Sequence, residues 1–218
     1  MMRKPIRTVV MLMIFLVAAF AMSVAQAQTA STPAGSRTDR ILILGDSLSA
    51  EYGLERGKGW VALLEQRLSE QAAPHEVVNA SVSGETTSGG LTRLPALLEQ
   101  HRPQIVVIEL GGNDGLRGFP PAQTEANLRE MTTMSREAGA RVVLAGMQLP
   151  PNYGKAYTER FQAMFADIAR QEEAVLVPFL LEGIATDETM FQPDRIHPTA
   201  AAQPILLDNV WSALEPLL

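Results

Sequence analysis

The sequence contains no cysteine and only three histidines in 218 residues. The lack of cysteine excludes disulfide bonds, a cysteine nucleophile and metal sites built on thiolates. The histidines, at positions 75, 101 and 197, are too scattered along the chain for the usual ligand spacing of a zinc site. We therefore expect no metal centre, and a core that is stable without covalent cross-links.

Nucleotide-binding signatures are also missing. The first strand-to-helix turn has no G-x-G-x-x-G, and G-x-x-x-x-G-K-[ST] occurs nowhere in the chain. The formal net charge is −6, so neither nucleic acid nor an anionic membrane is expected as the main partner. The sequence thus predicts a protein that needs no cofactor and acts on a small molecule.

Residues 1–27 have the composition of a secretory signal peptide. Three cations in the first eight residues precede an apolar run over 9–24, and an A-x-A pattern ends at Ala27. The run is short for a membrane span, which needs ~20 residues. We expect cleavage after Ala27, no stable membrane anchor, and a mature protein in the periplasm or the medium. Removal of the three cations takes the net charge from −6 to −9.

From residue 40 onward, apolar strand segments alternate with amphipathic helix segments. Residues 28–39, rich in Ser, Thr, Pro and Gly, form a disordered lead-in on this interpretation. The predicted strands are 40–44, 76–80, 104–110, 141–147 and 174–178, and the predicted helices are 59–71, 88–100, 122–138, 156–171 and 199–217. The pattern indicates one α/β domain over 40–218, a three-layer α/β/α sandwich whose five-stranded parallel sheet has the flavodoxin-like order 2-1-3-4-5.

Ser47 is the candidate nucleophile, because it follows the first predicted strand directly. Gly45 permits a sharp turn there, and open parallel sheets bind ligands beyond the carboxyl ends of their strands. A serine hydroxyl needs a base to take its proton. Among the histidines, only His197 is expected at this edge, and Asp194 is close enough in sequence to fix its tautomer. The alternative for His197 is a simple cap of the last helix.

Acyl transfer also needs donors for a developing oxyanion. In the order 2-1-3, the loops after the second and third strands flank the loop that carries Ser47. The first loop supplies the N–H of Gly84, and the second supplies the side-chain amide of Asn113, with Gly112 giving backbone freedom. Each is typical of an ordinary turn when taken alone. Together with the N–H of Ser47, they predict an oxyanion hole.

These residues resemble the four conserved blocks of the SGNH (GDSL) hydrolases. The blocks are GDSLS at 45–49, the glycine at 84, GGND at 111–114 and DxxH at 194–197. The resemblance extends over residues 40–218. It is strongest to the bacterial periplasmic group that contains thioesterases, lysophospholipases and arylesterases.

The resemblance implies an esterase with Ser47 as nucleophile, Asp194 and His197 as its partners, and the oxyanion hole described above. Two positions depart from the pattern of the group. Glu51 stands where relatives usually have a small residue, and Arg195 stands where glycine is common. We expect Glu51 on a solvated helix face or, as the alternative, at the site entrance, and we expect Arg195 to point outward.

Two loops beside this edge are apolar and rich in proline and glycine, namely 116–121 and 149–154. We expect them to bind an acyl chain through Leu116, Phe119, Leu149, Pro150 and Tyr153. The predicted protein is a monomeric serine esterase acting on acyl esters and thioesters. The alternatives are an O-acetylesterase of carbohydrate or peptidoglycan and a non-catalytic periplasmic binding protein.

Overall fold

The computed structural model describes residues 39–71 and 75–218. The predicted signal peptide, and the predicted lead-in up to residue 38, lie outside the described residues. The described residues belong to one structural unit. Among the described helices, none is both long enough and apolar enough to span a bilayer.

Five parallel strands form one sheet in the order β2-β1-β3-β4-β5. Their bounds are β1 Arg40–Gly45, β2 Glu76–Asn79, β3 Ile105–Glu109, β4 Arg141–Ala145 and β5 Val175–Val177. The predicted fold class and strand order are confirmed. Ile41 of β1 pairs with Val77 on one side and with Ile105 on the other. The carboxyl ends of β1 and β3 flank the switch point of the topology, where such sheets bind ligands.

Helices cover the sheet on both faces. They are α1 Trp60–Ser69, α2 Thr87–His101, α3 Gly112–Leu116, α4 Pro121–Glu137, α5 Lys155–Gln171 and α6 Gln203–Leu214. Helix α1 packs against α6, whereas α4 packs against both α2 and α5. Both groups contact the strands, which gives the α/β/α layering.

Three segments differ from the predicted elements. The GGND segment, predicted as a loop, contains the first turn of α3, where the N–H of Gly115 donates to the carbonyl of Gly111 at 2.9 Å. The closing helix begins only at Gln203, because Ala200–Ala202 forms a 3₁₀ turn, and Glu215–Leu217 forms another at its end.

The core is centred on β1 and β3. Ile41, Leu44, Ile105 and Ile108 are all 0% exposed, and Trp60 of α1 is buried against this core. Central strands enclosed by helices on both faces read as continuous apolar runs, which is why the sequence identifies them well. The buried strands hold the loops at their carboxyl ends in fixed positions.

Candidate active site

Ser47 lies two residues beyond β1, at the carboxyl edge of the sheet. The N–H of Ala50 donates to the carbonyl of Asp46 at 3.0 Å, and that of Tyr52 to the carbonyl of Ser47 at 3.3 Å, so the chain forms a tight turn here. The Oδ1 atom of Asp46 accepts the N–H of Leu48 at 3.0 Å. The turn directs Ser47 into a crevice at the edge of the sheet.

The sharp turn predicted at Gly45 is wrong. Gly45 is the last residue of β1, and its φ is not positive. A Cβ atom at this position would lie 2.7 Å from Oγ of Ser49 and 2.8 Å from Oε2 of Glu109. Glycine is needed here because these two side chains approach the backbone closely.

His197 connects Ser47 to Asp194. Its Nε2 lies 2.9 Å from Oγ of Ser47, and its Nδ1 lies 2.6 Å from Oδ2 of Asp194. With the Nδ1–H donated to the carboxylate, Nε2 is left as an acceptor for the serine proton. The sequence-predicted serine, histidine and aspartate are therefore brought into one hydrogen-bonded line.

Asp194 is held in its ionised form. Its Oδ1 accepts the backbone N–H groups of Ile196 and His197, each at 3.0 Å. Burial raises the pKa of Asp194, but these two donors and the His197 imidazole outweigh it and lower the pKa to about 2. The carboxylate is thus charged at neutral pH, as it must be to stabilise an imidazolium.

The loop that carries His197 is fastened to the turn that carries the serine. Phe191 and Pro198 close the loop as an antiparallel bridge, and the N–H of Gln192 donates to the carbonyl of His197 at 2.7 Å. Nε2 of Gln192 donates to the carbonyl of Tyr52 at 2.9 Å. The Tyr52 ring lies against the imidazole, with 4.3 Å between ring centroids. This role of Tyr52 is not predictable from the sequence, since an exposed tyrosine in a turn carries no distinguishing signal.

Gly84, in the loop after β2, and Asn113, in the first turn of α3 after β3, stand on either side of this turn. Gly84 has a φ of 79°, in the left-handed region that favours glycine. The backbone N–H groups of Ser47 and Gly84 have no acceptor among the described residues. Nδ2 of Asn113 donates to Oδ2 of Asp46 at 2.9 Å and to the carbonyl of Glu85 at 3.0 Å. Both of its hydrogens are engaged, so an oxyanion has to share one of them.

The φ of 112° identifies Gly111, rather than the predicted Gly112, as the glycine that frees the backbone before Asn113. Gly112 is already part of α3. The left-handed residue at the N-cap starts the short helix and thereby sets the direction of the amide.

A pair of buried carboxyl groups lies beneath the turn. Asp46 is 2% exposed and Glu109, the last residue of β3, is 1% exposed. Oε2 of Glu109 accepts the N–H of Asp46 at 3.2 Å and the hydroxyl of Ser49 at 2.7 Å. Burial raises the pKa of Asp46 to about 6, although hydrogen bonds from Leu48 and Asn113 oppose the shift. Burial and the neighbouring Asp46 raise the pKa of Glu109 well above its ordinary value.

The crevice has a volume of about 440 Å³ and a mainly apolar wall. Of the predicted acyl-binding residues, Leu116, Leu149 and Pro150 line it. Phe119 is not among the lining residues and is 40% exposed, while the hydroxyl of Tyr153 donates to the carbonyl of Leu116 at 2.9 Å. Six further apolar residues, not predicted from the sequence, also line the crevice: Met147, Phe179, Leu181, Ala185, Phe191 and Ile196.

The two departures from the family pattern have structural explanations. Both expectations for Glu51 are wrong, because its carboxylate accepts the N–H groups of Gly57 at 3.0 Å and Gly59 at 2.8 Å and so ties down the loop before α1. Arg195 has a φ of 59°, a conformation in which glycine is unstrained. Its guanidinium extends to within 3.5 Å of Glu188, and its side chain is 74% exposed.

The fold and the hydrogen-bonded line of serine, histidine and aspartate together define an α/β hydrolytic enzyme of the serine type. Residues 43–204 match the GDSL-like Lipase/Acylhydrolase family, and the chain belongs to this family. The predicted family is confirmed.

Within this family, the chain is similar to proteins that are named as esterases and thioesterases. The chain is 55% identical over 178 residues to esterase TesA of Pseudomonas aeruginosa, with 82% of this chain and 89% of that protein covered. It is 45% identical over 180 residues to thioesterase 1/protease 1/lysophospholipase L1 of Escherichia coli K12, with 83% and 85% covered. The crystal structure of TesA matches with a TM-score of 0.81 at 54% identity and covers 83% of this chain and 100% of that chain.

Proposed function

We propose that this protein hydrolyses carboxylic esters and thioesters through an acyl-enzyme on Ser47. The observation that carries the proposal is the line from Asp194 through His197 to Ser47, with hydrogen bonds of 2.6 and 2.9 Å, beside an apolar crevice. The names of the relatives, an esterase and a thioesterase, support the same bond types.

The distances between the side chains indicate the role of each residue in the reaction. Nε2 of His197 takes the proton of Ser47 as Oγ attacks the carbonyl carbon, and Asp194 stabilises the resulting imidazolium. The N–H groups of Ser47 and Gly84 and the amide of Asn113 receive the developing oxyanion. The imidazolium then protonates the departing alcohol or thiol. In the second half, His197 deprotonates a water molecule that attacks the acyl-enzyme and releases the acid.

The lining of the crevice favours an acyl chain as the group transferred. Leu116, Leu149 and Pro150 stand beside Ser47, and burial of apolar carbons against such a wall contributes ~25 cal/mol for each Å² removed from water. An O-acetylesterase would gain little from this wall, because an acetyl group is too short to cover it. Membership of an acylhydrolase family argues against a non-catalytic binding protein.

Export of the mature protein is part of the proposal. It is supported by the basic start, the apolar run and the A-x-A pattern of residues 1–27. Lysophospholipids and other acyl esters are the substrates that an exported enzyme would meet. The monomeric state stays a prediction.

The substitution Ser47→Ala tests the proposal. We expect loss of p-nitrophenyl ester hydrolysis by at least ~10³-fold, because removal of the nucleophile leaves only binding and the oxyanion donors. Ser212→Ala is the matched control, since its hydroxyl bonds to the carbonyl of Asn209 within α6. A fluorophosphonate probe should label the wild type and the control but not the variant. Hydrolysis retained by the Ser47 variant, with unchanged circular dichroism, would contradict the mechanism.

A further inference from the structure

In the part of the chain that the structure describes, the buried carboxyl groups of Asp46 and Glu109 have no positively charged side chain paired with them to offset two negative charges. The ionisable groups that act on Asp46 are Glu109, Asp114 and His197, and the one that acts on Glu109 is Asp46. No lysine or arginine within the described residues forms an ion pair with either carboxylate. Two adjacent carboxylates that lack a cation and are out of water cannot both stay ionised at neutral pH.

The donors around the pair show where a proton fits. Both oxygens of Asp46 accept hydrogen bonds, one from the N–H of Leu48 and one from the amide of Asn113. Oε2 of Glu109 accepts two, from Asp46 and Ser49. Oε1 of Glu109 is buried and has no donor among the described residues. Of the four carboxyl oxygens it is the one that receives no hydrogen bond from these residues, so a proton placed there leaves every existing bond intact.

The two residues are direct neighbours in the interior, because the N–H of Asp46 donates to Oε2 of Glu109 at 3.2 Å and both side chains are buried. We propose that Glu109 is a positioning residue that stays protonated and donates its carboxyl proton to the Asp46 carboxylate. The pair then has a single negative charge, on Asp46. Every buried oxygen of the pair is satisfied, which a buried polar network requires.

The proton on Glu109 matters because Asp46 holds the reacting groups. Asp46 fixes the turn that begins at Ser47 and accepts the amide of Asn113 at 2.9 Å. Ionisation of Glu109 would place a second charge beside Asp46 and push this turn away from β3. Gly45 leaves the space in which the Glu109 carboxyl reaches the turn.

Three variants test the proposal, which rests on the proposed function. Glutamine reproduces a protonated glutamate, because its oxygen accepts the two donors and its N–H₂ replaces the proton. We expect Glu109→Gln to keep kcat within about threefold and Glu109→Met to lower kcat by about 10²-fold with little change in KM. Glu172→Gln, on a partly buried glutamate paired with Arg129, controls for the loss of a carboxylate elsewhere.

The pH profile gives a readout that a purely structural role would not move. In the wild type, kcat should fall at alkaline pH as Glu109 ionises, and in Glu109→Gln this fall should disappear or shift upward by at least about one pH unit. The Glu172→Gln profile should match that of the wild type.

The experiments distinguish failure of the proposed function from failure of the proposed protonation of Glu109. If the fluorophosphonate probe does not label wild-type Ser47, the proposed function fails. If the wild type is labelled but Glu109→Gln loses as much kcat as Glu109→Met, with both folded by circular dichroism, the proton placement is overturned and Glu109 acts as an anion. An unchanged alkaline limb in Glu109→Gln would overturn it as well.

Discussion

The side-chain amide of Asn113 donates two hydrogen bonds that its predicted role in the oxyanion hole does not require. Its amide bonds to Asp46 and to the carbonyl of Glu85, and so joins the loops after β1, β2 and β3. Those two bonds fix the amide before any substrate arrives. A donor held in place in this way pays little reorganisation when charge develops on the carbonyl oxygen.

Replacement of this amide tests its part in the reaction. We expect Asn113→Ala to lower kcat by ~10²–10³-fold in p-nitrophenyl ester hydrolysis, with a smaller change in KM. Asn209→Ala is a matched control, because its amide also donates to two carbonyls, those of Leu180 and Glu182, at 3.0 and 2.9 Å. An equal loss of kcat in both variants would show that the Asn113 amide stabilises the fold and does not act on the oxyanion.

At the residue scale, sequence blocks predicted the serine, histidine and aspartate that the structure joins. They could not predict Glu109 or Tyr52. Glu109 ends a strongly apolar strand, and whether its carboxyl is solvated or buried depends on residues 60 positions away. Tyr52 lies on the imidazole only because Gln192 fastens two distant loops together.

At the element scale, the loop after β4 forms much of the crevice wall. Leu149 lines the crevice and its methyl groups also limit the space beside Gly115. Phe119, in the loop after α3, is an apolar side chain of similar type that lies outside the lining. The two residues therefore make a matched pair for a test of chain-length selectivity.

Truncation of Leu149 should reduce activity on long acyl chains selectively. We expect Leu149→Ala to lower kcat/KM about tenfold for esters of ten or so carbons and far less for acetate, as loss of ~1–2 kcal/mol of apolar burial implies. Phe119→Ala should change the long-to-short ratio less. The measurement is kcat/KM across a p-nitrophenyl ester series. Equal losses at every chain length in Leu149→Ala would contradict an acyl-binding role.

The elements themselves were predictable where burial is complete. The strands appear as unbroken apolar runs, and all five were placed within a few residues of their observed ends. Helix α3 was not predicted, because a glycine-rich segment favours a loop by propensity and only tertiary contacts make it helical. The last helix was predicted too long for the opposite reason, since apolar periodicity continues through 3₁₀ turns.

At the scale of the whole molecule, the buried carboxyl pair links stability to pH. Because the folded-state pKa of Asp46 is raised to about 6 from 3.8, the native protein binds more protons than the unfolded chain between these values. The contribution of Asp46 to stability is therefore fully present below the unfolded pKa and is lost as the pH rises through the folded pKa. The raised pKa of Glu109 acts in the same direction, from its ordinary value of 4.5 up through its folded-state pKa.

Urea unfolding at pH 4 and pH 7 measures this effect. We expect the free energy of unfolding of the wild type to fall by ~2 kcal/mol over this interval from Asp46 alone, because the unfolded chain releases this proton near pH 3.8 and the folded protein only near pH 6. Asp46→Asn should lose distinctly less stability over the same interval. Asp194, whose pKa is lowered to about 2, stabilises the fold above pH 4 and loses this contribution only as the pH falls below about 4, so it does not affect the comparison. A wild-type stability that rises from pH 4 to pH 7 would contradict the raised pKa of Asp46.

The alternation of strands and helices was sufficient to predict the architecture, because a parallel sheet with right-handed crossovers leaves few topologies. It could not predict the protonation of the interior. Whether Asp46 or Glu109 holds a proton depends on a few donors within a few ångströms, and these come from two separate segments, one after β1 and one after β3.

The hydrogen bond from Gln192 to the Tyr52 carbonyl restricts the movement of the His197 loop relative to the Ser47 turn. The two segments it joins, 140 residues apart in sequence, carry the base and the nucleophile. Neither segment can swing out without breaking that bond and separating the Tyr52 ring from the imidazole. These two contacts hold the base beside the nucleophile, with Nε2 of His197 2.9 Å from Oγ of Ser47.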